Sequence, residues 1–151
     1  MIPQHVQQIL DRWGLKPLEF DQGSTPTVET AAAHIGVSCG QIAKSLLMKG
    51  KDDRYRMFVL AGDKAVSSGK VKRFTKVKQS MASAEETLQV TGFSPGAVCP
   101  FGVTDIDIFI DISIDAYDVV YPAAGTDASG VPVTYRQLLE ITSGAPCDIT
   151  Q

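Results

Sequence analysis

Lys44 stands in the run G-Q-I-A-K-S-L-L-M, residues 40–48, as the one charged side chain among Ile42, Ala43, Leu46, Leu47 and Met48. Such a run reads as a mostly buried strand, and an ammonium taken out of water is costly unless an acceptor or an anion meets it. Lys44 therefore needs a partner, and a bound ligand is one candidate. The plainer reading puts it on the solvent face of an edge strand, with its stem snorkelling to the surface. A second stretch suited to chemistry is G-F-S-P-G-A-V-C-P-F-G, residues 92–102, with three glycines and two prolines in eleven positions. Fixed φ at the prolines and free φ at the glycines let such a loop hold backbone N–H groups in one rigid arrangement facing a ligand.

Other chemistries find less support. Cys39, Cys99 and Cys147 are odd in number and lack C-x-x-C spacing, and His5 and His34 are far apart, so neither a disulfide framework nor a zinc site is expected. Cys99 reads as a small buried thiol rather than a nucleophile. Asp105 and Asp107 stand at i, i+2, where acids on the wet side of a strand are ordinarily solvated; no metal and no cofactor is expected. No Ser-His-Asp set or nucleophile elbow is present.

The net charge of −3 speaks against a general nucleic-acid binder, but the charges are segregated. Residues 64–78 carry six bases and no acid, while residues 103–118 carry five aspartates and no base. A local basic stripe can meet phosphates even on an acidic protein, because the Debye length in the cell is only ~8 Å. A solvated helix face is the competing reading.

These residues need a frame. With 44% apolar residues, a chain of 151 residues fills one core and is read as one domain, residues 1–151. Its start lacks the form of a signal peptide and no long apolar run appears, so a soluble, cytoplasmic protein without membrane contact is expected. Pro3 at a first helical position and Val6, Ile9, Leu10 and Trp13 predict an amphipathic helix stopped at Gly14. Thr25-Pro26-Thr27 opens a second helix that Gly36 closes. The strand of Lys44 and the run from Arg54 to Ala61 pair as an antiparallel hairpin across residues 49–53. The basic segment is part helix and part strand. Ser83 with Glu86 caps a helix ending at Gly92, and Thr134 with Gln137 caps a last one through Ile141. Alternating isoleucines from Ile106 to Ile114 predict one long strand to about Asp115, its carboxylates on the far face, and residues 119–124 predict a further strand. The fold class is α+β with a mixed, mainly antiparallel sheet.

Five pieces, in order, resemble the YbaK/EbsC family, which includes the editing domain inserted in bacterial prolyl-tRNA synthetases: T-A-A-A-H-I-G-V at 30–37, I-A-K-S-L at 42–46, V-L-A-G-D at 59–63, T-G-F-S-P-G-A-V-C-P-F-G at 91–102 and Y-P-A-A-G at 121–125. The resemblance spans nearly the whole chain. It implies a barrel-like mixed sheet with flanking helices and hydrolysis of wrongly charged aminoacyl-tRNA; the best-known members clear alanine or cysteine from the tRNA for proline. The family's lysine matches Lys44, and its Gly-x-x-x-Pro element matches Gly96 and Pro100. Ala123, Ala124 and Gly125 match a strand end lining the same pocket. Cysteine-clearing members typically carry a serine where Ala123 stands and a Gly/basic turn where Thr126 and Asp127 stand, which leaves the amino-acid specificity open.

On that reading Lys44, Gly96, Pro100 and Phe101 serve catalysis, with loop N–H groups holding the carbonyl oxygen and Lys44 anchoring a phosphate or ribose oxygen of the terminal adenosine. Thr25, Ser45, Gly102, Ala123, Ala124 and Gly125 bind substrate, residues 20–27 form the other wall, and Lys70, Lys72, Arg73 and Lys76 take the tRNA. The attacking group is a water or the substrate's own neighbouring hydroxyl. An aminoacyl-tRNA is the expected partner and a synthetase a second one; oligomeric state has no signature. Two alternatives stay open: a protein that binds an RNA end or nucleotide without turnover, and a Schiff-base enzyme using Lys44.

Overall fold

The computed structural model describes residues 1–151. In chain order the elements are α1 (Gln4–Arg12), β1 (Leu18–Glu19), α2 (Val28–Ile35), β2 (Ala43–Gly50), β3 (Tyr55–Ala61), α3 (Ser68–Thr75), β4 (Gln79–Met81), α4 (Ala84–Thr91), β5 (Asp107–Asp111), β6 (Ser129–Gly130), α5 (Tyr135–Thr142) and β7 (Ala145–Cys147). A five-stranded sheet runs β4-β2-β3-β5-β7, and β1 pairs with β6 apart from it. Three of the five pairings, β1–β6, β2–β3 and β2–β4, are antiparallel, while β3–β5 and β5–β7 are parallel. The mixed, mainly antiparallel sheet with flanking helices is as expected, but it stays open, with β4 and β7 as its edges.

β3 lies at the centre, and its run M-F-V-L-A is buried on both faces, which is why it reads as continuously apolar rather than alternating. Met57 and Val59 join Ala43, Ile108 and Ile110 under Val6 and Leu10 of α1, together with Phe93, Cys99 and Phe101. Phe58 and Leu60 join Met48 on the opposite face, covered by Val71 of α3 and by Cys147 and Ile149. The hairpin register sets Lys44 opposite Leu60 and Ser45 opposite Val59, so these adjacent residues belong to opposite faces.

Helix ends follow the caps read from sequence. Thr27 caps α2, Ser83 with Glu86 caps α4 and Thr134 with Gln137 caps α5, while Gly36 and Gly92 close α2 and α4 in the left-handed conformation. Pro3 sits at the N-cap of α1 rather than inside it, its ψ of 144° being extended. Two expectations fail. The isoleucine run is not one strand: β5 stops at Asp111, whose carboxylate accepts from Ser113 N–H (3.0 Å) and turns residues 112–116 into a 3-10 helix. Nor does Asp111 face water, for it is fully buried and also accepts from Ile149 N–H (2.7 Å) and the Thr150 hydroxyl (3.1 Å). Residues 119–124 make only isolated bridges, Tyr121 with Ile42 and Val120 with Val133. No helix is long and apolar enough to cross a membrane.

Candidate functional site

A cavity of about 520 Å³ opens along the outer edge of β2. Thr25–Val28 and Ala31 form one wall; Met81, Ala82, Ala84 and Thr87 form another; Pro95, Gly96 and Val98 reach in from the glycine/proline loop; Tyr121, Ala123 and Ser129 complete it. β2 lines its length from Ala43 to Leu47 because β4 covers only Met48 to Gly50 of that edge. The ladder has a gap there. Ala43 N–H donates to Tyr121 C=O (3.2 Å), and Leu47 C=O accepts from Ala82 N–H (3.0 Å). By the two-residue alternation, the N–H and C=O of Ser45 point to the same edge, where no strand meets them. The Ser45 hydroxyl is buried and has no hydrogen-bond partner either.

Lys44 is the only charged side chain lining the cavity, which contains no carboxylate, imidazole or thiol. Its Nζ donates to the carbonyls of Lys64 (2.6 Å) and Gly62 (3.3 Å), in the turn that leaves β3. These two acceptors answer the sequence-level demand for a partner and leave one N–H for a ligand. Burial lowers the pKa of the ammonium below the ordinary lysine value, while Asp63 and Glu29 pull it back up.

The loop divides. Gly96 is left-handed (φ +88°), and a Cβ there would lie 3.1 Å from Pro26 C=O, so glycine lets the loop close onto the start of α2. The N–H groups of Gly96 and Val98 have no acceptor within the protein. Pro100, Phe101 and Gly102 instead leave the cavity. Phe101 is fully buried in the main core, Pro100 is buried beside it, and Gly102 packs on α1, where a Cβ would meet His5 Cδ2 at 2.6 Å. A direct contact of these three with a ligand in the cavity is therefore not supported; the proline ring and phenyl group anchor the loop. Cys99 lies among them, its thiol pushed up to about 12 by burial, which removes it as a nucleophile.

The other expected residues separate in the same way. Thr25, Ser45 and Ala123 line the cavity; Ala124 and Gly125 do not. Ala124 is fully buried and donates its N–H to Ser129 Oγ (3.0 Å), and Gly125 turns at φ +88° against the Phe93 ring. Both hold the segment that presents Ala123 and Ser129. Thr25 Oγ1 accepts from Ser129 N–H (3.1 Å), tying the start of α2 to that segment. Phe20 packs on His34 instead of lining the wall, and of the expected 20–27 wall only Thr25, Pro26 and Thr27 line the cavity. Asp107 pairs with Arg54 (3.4 Å) at the far end of the sheet.

Among the bases, Lys70 is committed to Asp148 (3.2 Å) and Thr150 C=O (2.8 Å), which takes it away from a nucleic-acid role. Lys72 and Arg73 in the last turn of α3 and Lys76 at its left-handed cap have no carboxylate within salt-bridge distance. α3 is bracketed by Lys64, which accepts from Lys44, and Met81, which lines the cavity; at eight residues it is ~12 Å long. Sequence reasoning missed the wall from β4 and α4 and missed Ser129. The small residues Ala84 and Thr87, three apart on one helix face, were the available signal; Ser129 had none.

A family model for the aminoacyl-tRNA editing domain matches residues 22–141, and the chain belongs to that family. It is 38% identical over 125 residues to the uncharacterized protein YwhH of Bacillus subtilis, covering 82% of this chain and 79% of that one. It is 33% identical over 140 residues to the proline–tRNA ligase of Bacillus licheniformis, covering 85% of this chain but only 24% of the ligase. The fold superimposes with a TM-score of 0.87 on a proposed trans-editing enzyme for prolyl tRNA synthetase, at 31% identity and covering 98% of this chain and 96% of that one.

Proposed function

We propose that this protein is a free-standing deacylase that hydrolyses the ester of a mischarged tRNA, its substrate a small amino acid on the tRNA for proline or a related tRNA. The observation that carries this reading is the cavity's inventory: one ammonium, unpaired N–H groups on a rigid loop and small side chains, with no acid–base pair. An aminoacyl ester is already activated, so positioning and oxyanion stabilisation suffice. The N–H groups of Gly96 and Val98 hold the ester carbonyl oxygen and grip it harder as charge develops. The free N–H of Lys44 takes a phosphate or ribose oxygen of the terminal adenosine. The nucleophile is a water or the vicinal ribose hydroxyl, since the cavity offers no side chain for the task.

Ala31, Ala43 and Ala123 leave room for a small amino-acid side chain, and a pocket of this kind separates substrates differing by one methylene by ~10- to 200-fold. The Schiff-base alternative is disfavoured because Lys44 Nζ is already committed to two backbone carbonyls, contacts that favour its charged form. The lack of a general base equally suits a protein that binds an RNA end without turnover. Single-turnover deacylation on a panel of mischarged tRNAs, with Lys44→Ala alongside, decides between them. The expected result is hydrolysis of at least one small aminoacyl ester and loss of most of it in Lys44→Ala. A parent no faster than buffer on every tRNA would overturn the deacylase and favour the binder.

A further inference from the structure

We propose that Asp111, buried outside the cavity, is a positioning residue for Lys44: its hydrogen bonds pin both ends of the turn whose carbonyls hold the lysine ammonium. What Lys44 does rests on the deacylase reading; what puts it in place does not. Asp111 is fully buried, lines no part of the cavity and belongs to no salt bridge. A carboxylate taken out of water without a cation is costly and survives only with a full set of donors. Ser113 N–H, Ile149 N–H and the Thr150 hydroxyl supply them, with the Cys147 thiol 4.0 Å away.

These donors all lead to one turn. The Ser113 hydroxyl accepts from Ala61 N–H (3.1 Å), in the residue before Gly62. On the other side Ile149 C=O accepts from Ser67 N–H (2.7 Å), Thr150 bridges to Val66, and Gln151 N–H donates to Ala65 C=O (3.0 Å), in the residue after Lys64. Between these anchors stand Gly62 C=O and Lys64 C=O, the two acceptors of Lys44 Nζ. The turn cannot yield towards α2 either, because a Cβ on Gly62 would run into Cys39 C=O and lie 2.7 Å from Val28 Cγ1.

One carboxylate therefore fixes two carbonyls and, through them, the direction of the remaining Lys44 N–H. A misplacement of only ~1 Å in a substrate-holding group can cost ~100-fold in rate, so the anchor matters to chemistry it never touches. The charged groups that act on the ammonium are Asp63 within the turn and Glu29 on α2, and both stay in every variant below.

The test follows the titration of Lys44 by NMR of isotope-labelled lysine side chains, its signal being the one missing from Lys44→Ala. Asp111→Asn and the uncharged change Thr150→Val should each lower the Lys44 midpoint by about one pH unit, as loss of a hydrogen bond to the charged form requires. Thr150→Ser, which keeps the hydroxyl, should restore it. Val6→Ala, which weakens the core on the other face of the sheet, should leave it in place. Should Asp111→Asn fail to fold, the Thr150 pair carries the test. An unmoved midpoint in Thr150→Val, or an equal fall in Val6→Ala, would overturn the proposal. In single-turnover deacylation Thr150→Val should be about tenfold slower than the parent, yet cost nothing further in a Lys44→Ala background. Losses that add would also overturn it. If the parent cleaves no mischarged tRNA, the deacylase reading falls and the titration alone decides whether Asp111 positions Lys44.

Discussion

The two halves of the glycine/proline loop are built to opposite ends. Pro95, Gly96 and Val98 line the cavity, the last two with unpaired N–H groups, whereas Pro100 and Phe101 are buried and Gly102 packs against α1. A motif that reads as one functional unit in sequence is thus a tool and its handle. Only the first half is free to meet a ligand; the second half fixes where the first can be, which the oxyanion-binding role proposed for Gly96 and Val98 would require.

The sharpest break of this comparison is Phe101→Ala, which empties a fully buried ring position in the main core. It should cost about 3–5 kcal/mol of stability, read as a lowered denaturant midpoint. If the variant kept its midpoint and lost only activity, the second half would be catalytic after all. Gly96→Ala should do the reverse. A left-handed alanine costs only ~1–2 kcal/mol of fold stability, but misplacing one donor should remove ~2.7–4 kcal/mol of transition-state stabilisation. Single-turnover rates set beside affinity for a non-hydrolysable analogue separate the two; equal falls in rate and affinity would deny the donor role.

Smaller effects sharpen the picture beyond the loop. Reversing Lys72 and Arg73 to Glu should raise KM for tRNA and lower the log–log salt slope by roughly 0.7–0.9 for each phosphate that is no longer neutralised. Lys70→Glu should instead act through stability, since Lys70 holds the C-terminal segment. An unchanged slope in the double reversal would move tRNA docking to another face. The smallest response is expected from Cys99→Ala, which should leave the deacylation rate unaltered. Its thiol, held at about 12, keeps its proton in the folded state while the unfolded chain releases it from about pH 9. Folding stability in the parent should fall as pH rises from 9 towards 12, and the variant should lose that part of the decline.

Legibility varied with how local the cause was. The β2–β3 hairpin, the capping boxes and the helix-closing glycines are set by neighbours in the chain, and the sequence displays them directly. Asp111 is the counterexample. Its place in an isoleucine alternation suggests a wet carboxylate, and only residues 147–150, remote in sequence, explain why it is buried. Within the cavity, Lys44, Gly96 and Ala123 carried the family's pattern. Pro100, Phe101, Ala124 and Gly125 carried it too, but packing assigns them to support. The wall from Met81 to Thr87 was marked only by the small residues Ala84 and Thr87 on one helix face, types that any exposed helix start would also show.

The ties of Asp111 to Ile149 and Thr150 also bear on the order in which the chain can complete itself during synthesis. The face of the sheet formed by Met48, Phe58 and Leu60 is closed by Cys147 and Ile149, some ninety residues later. Until those residues are made, that face stays uncovered and a carboxylate destined for the interior stays in water. The first hairpin can pair early, but the second face of its sheet must wait almost to residue 150, an interval in which exposed apolar strand surface invites chaperone binding.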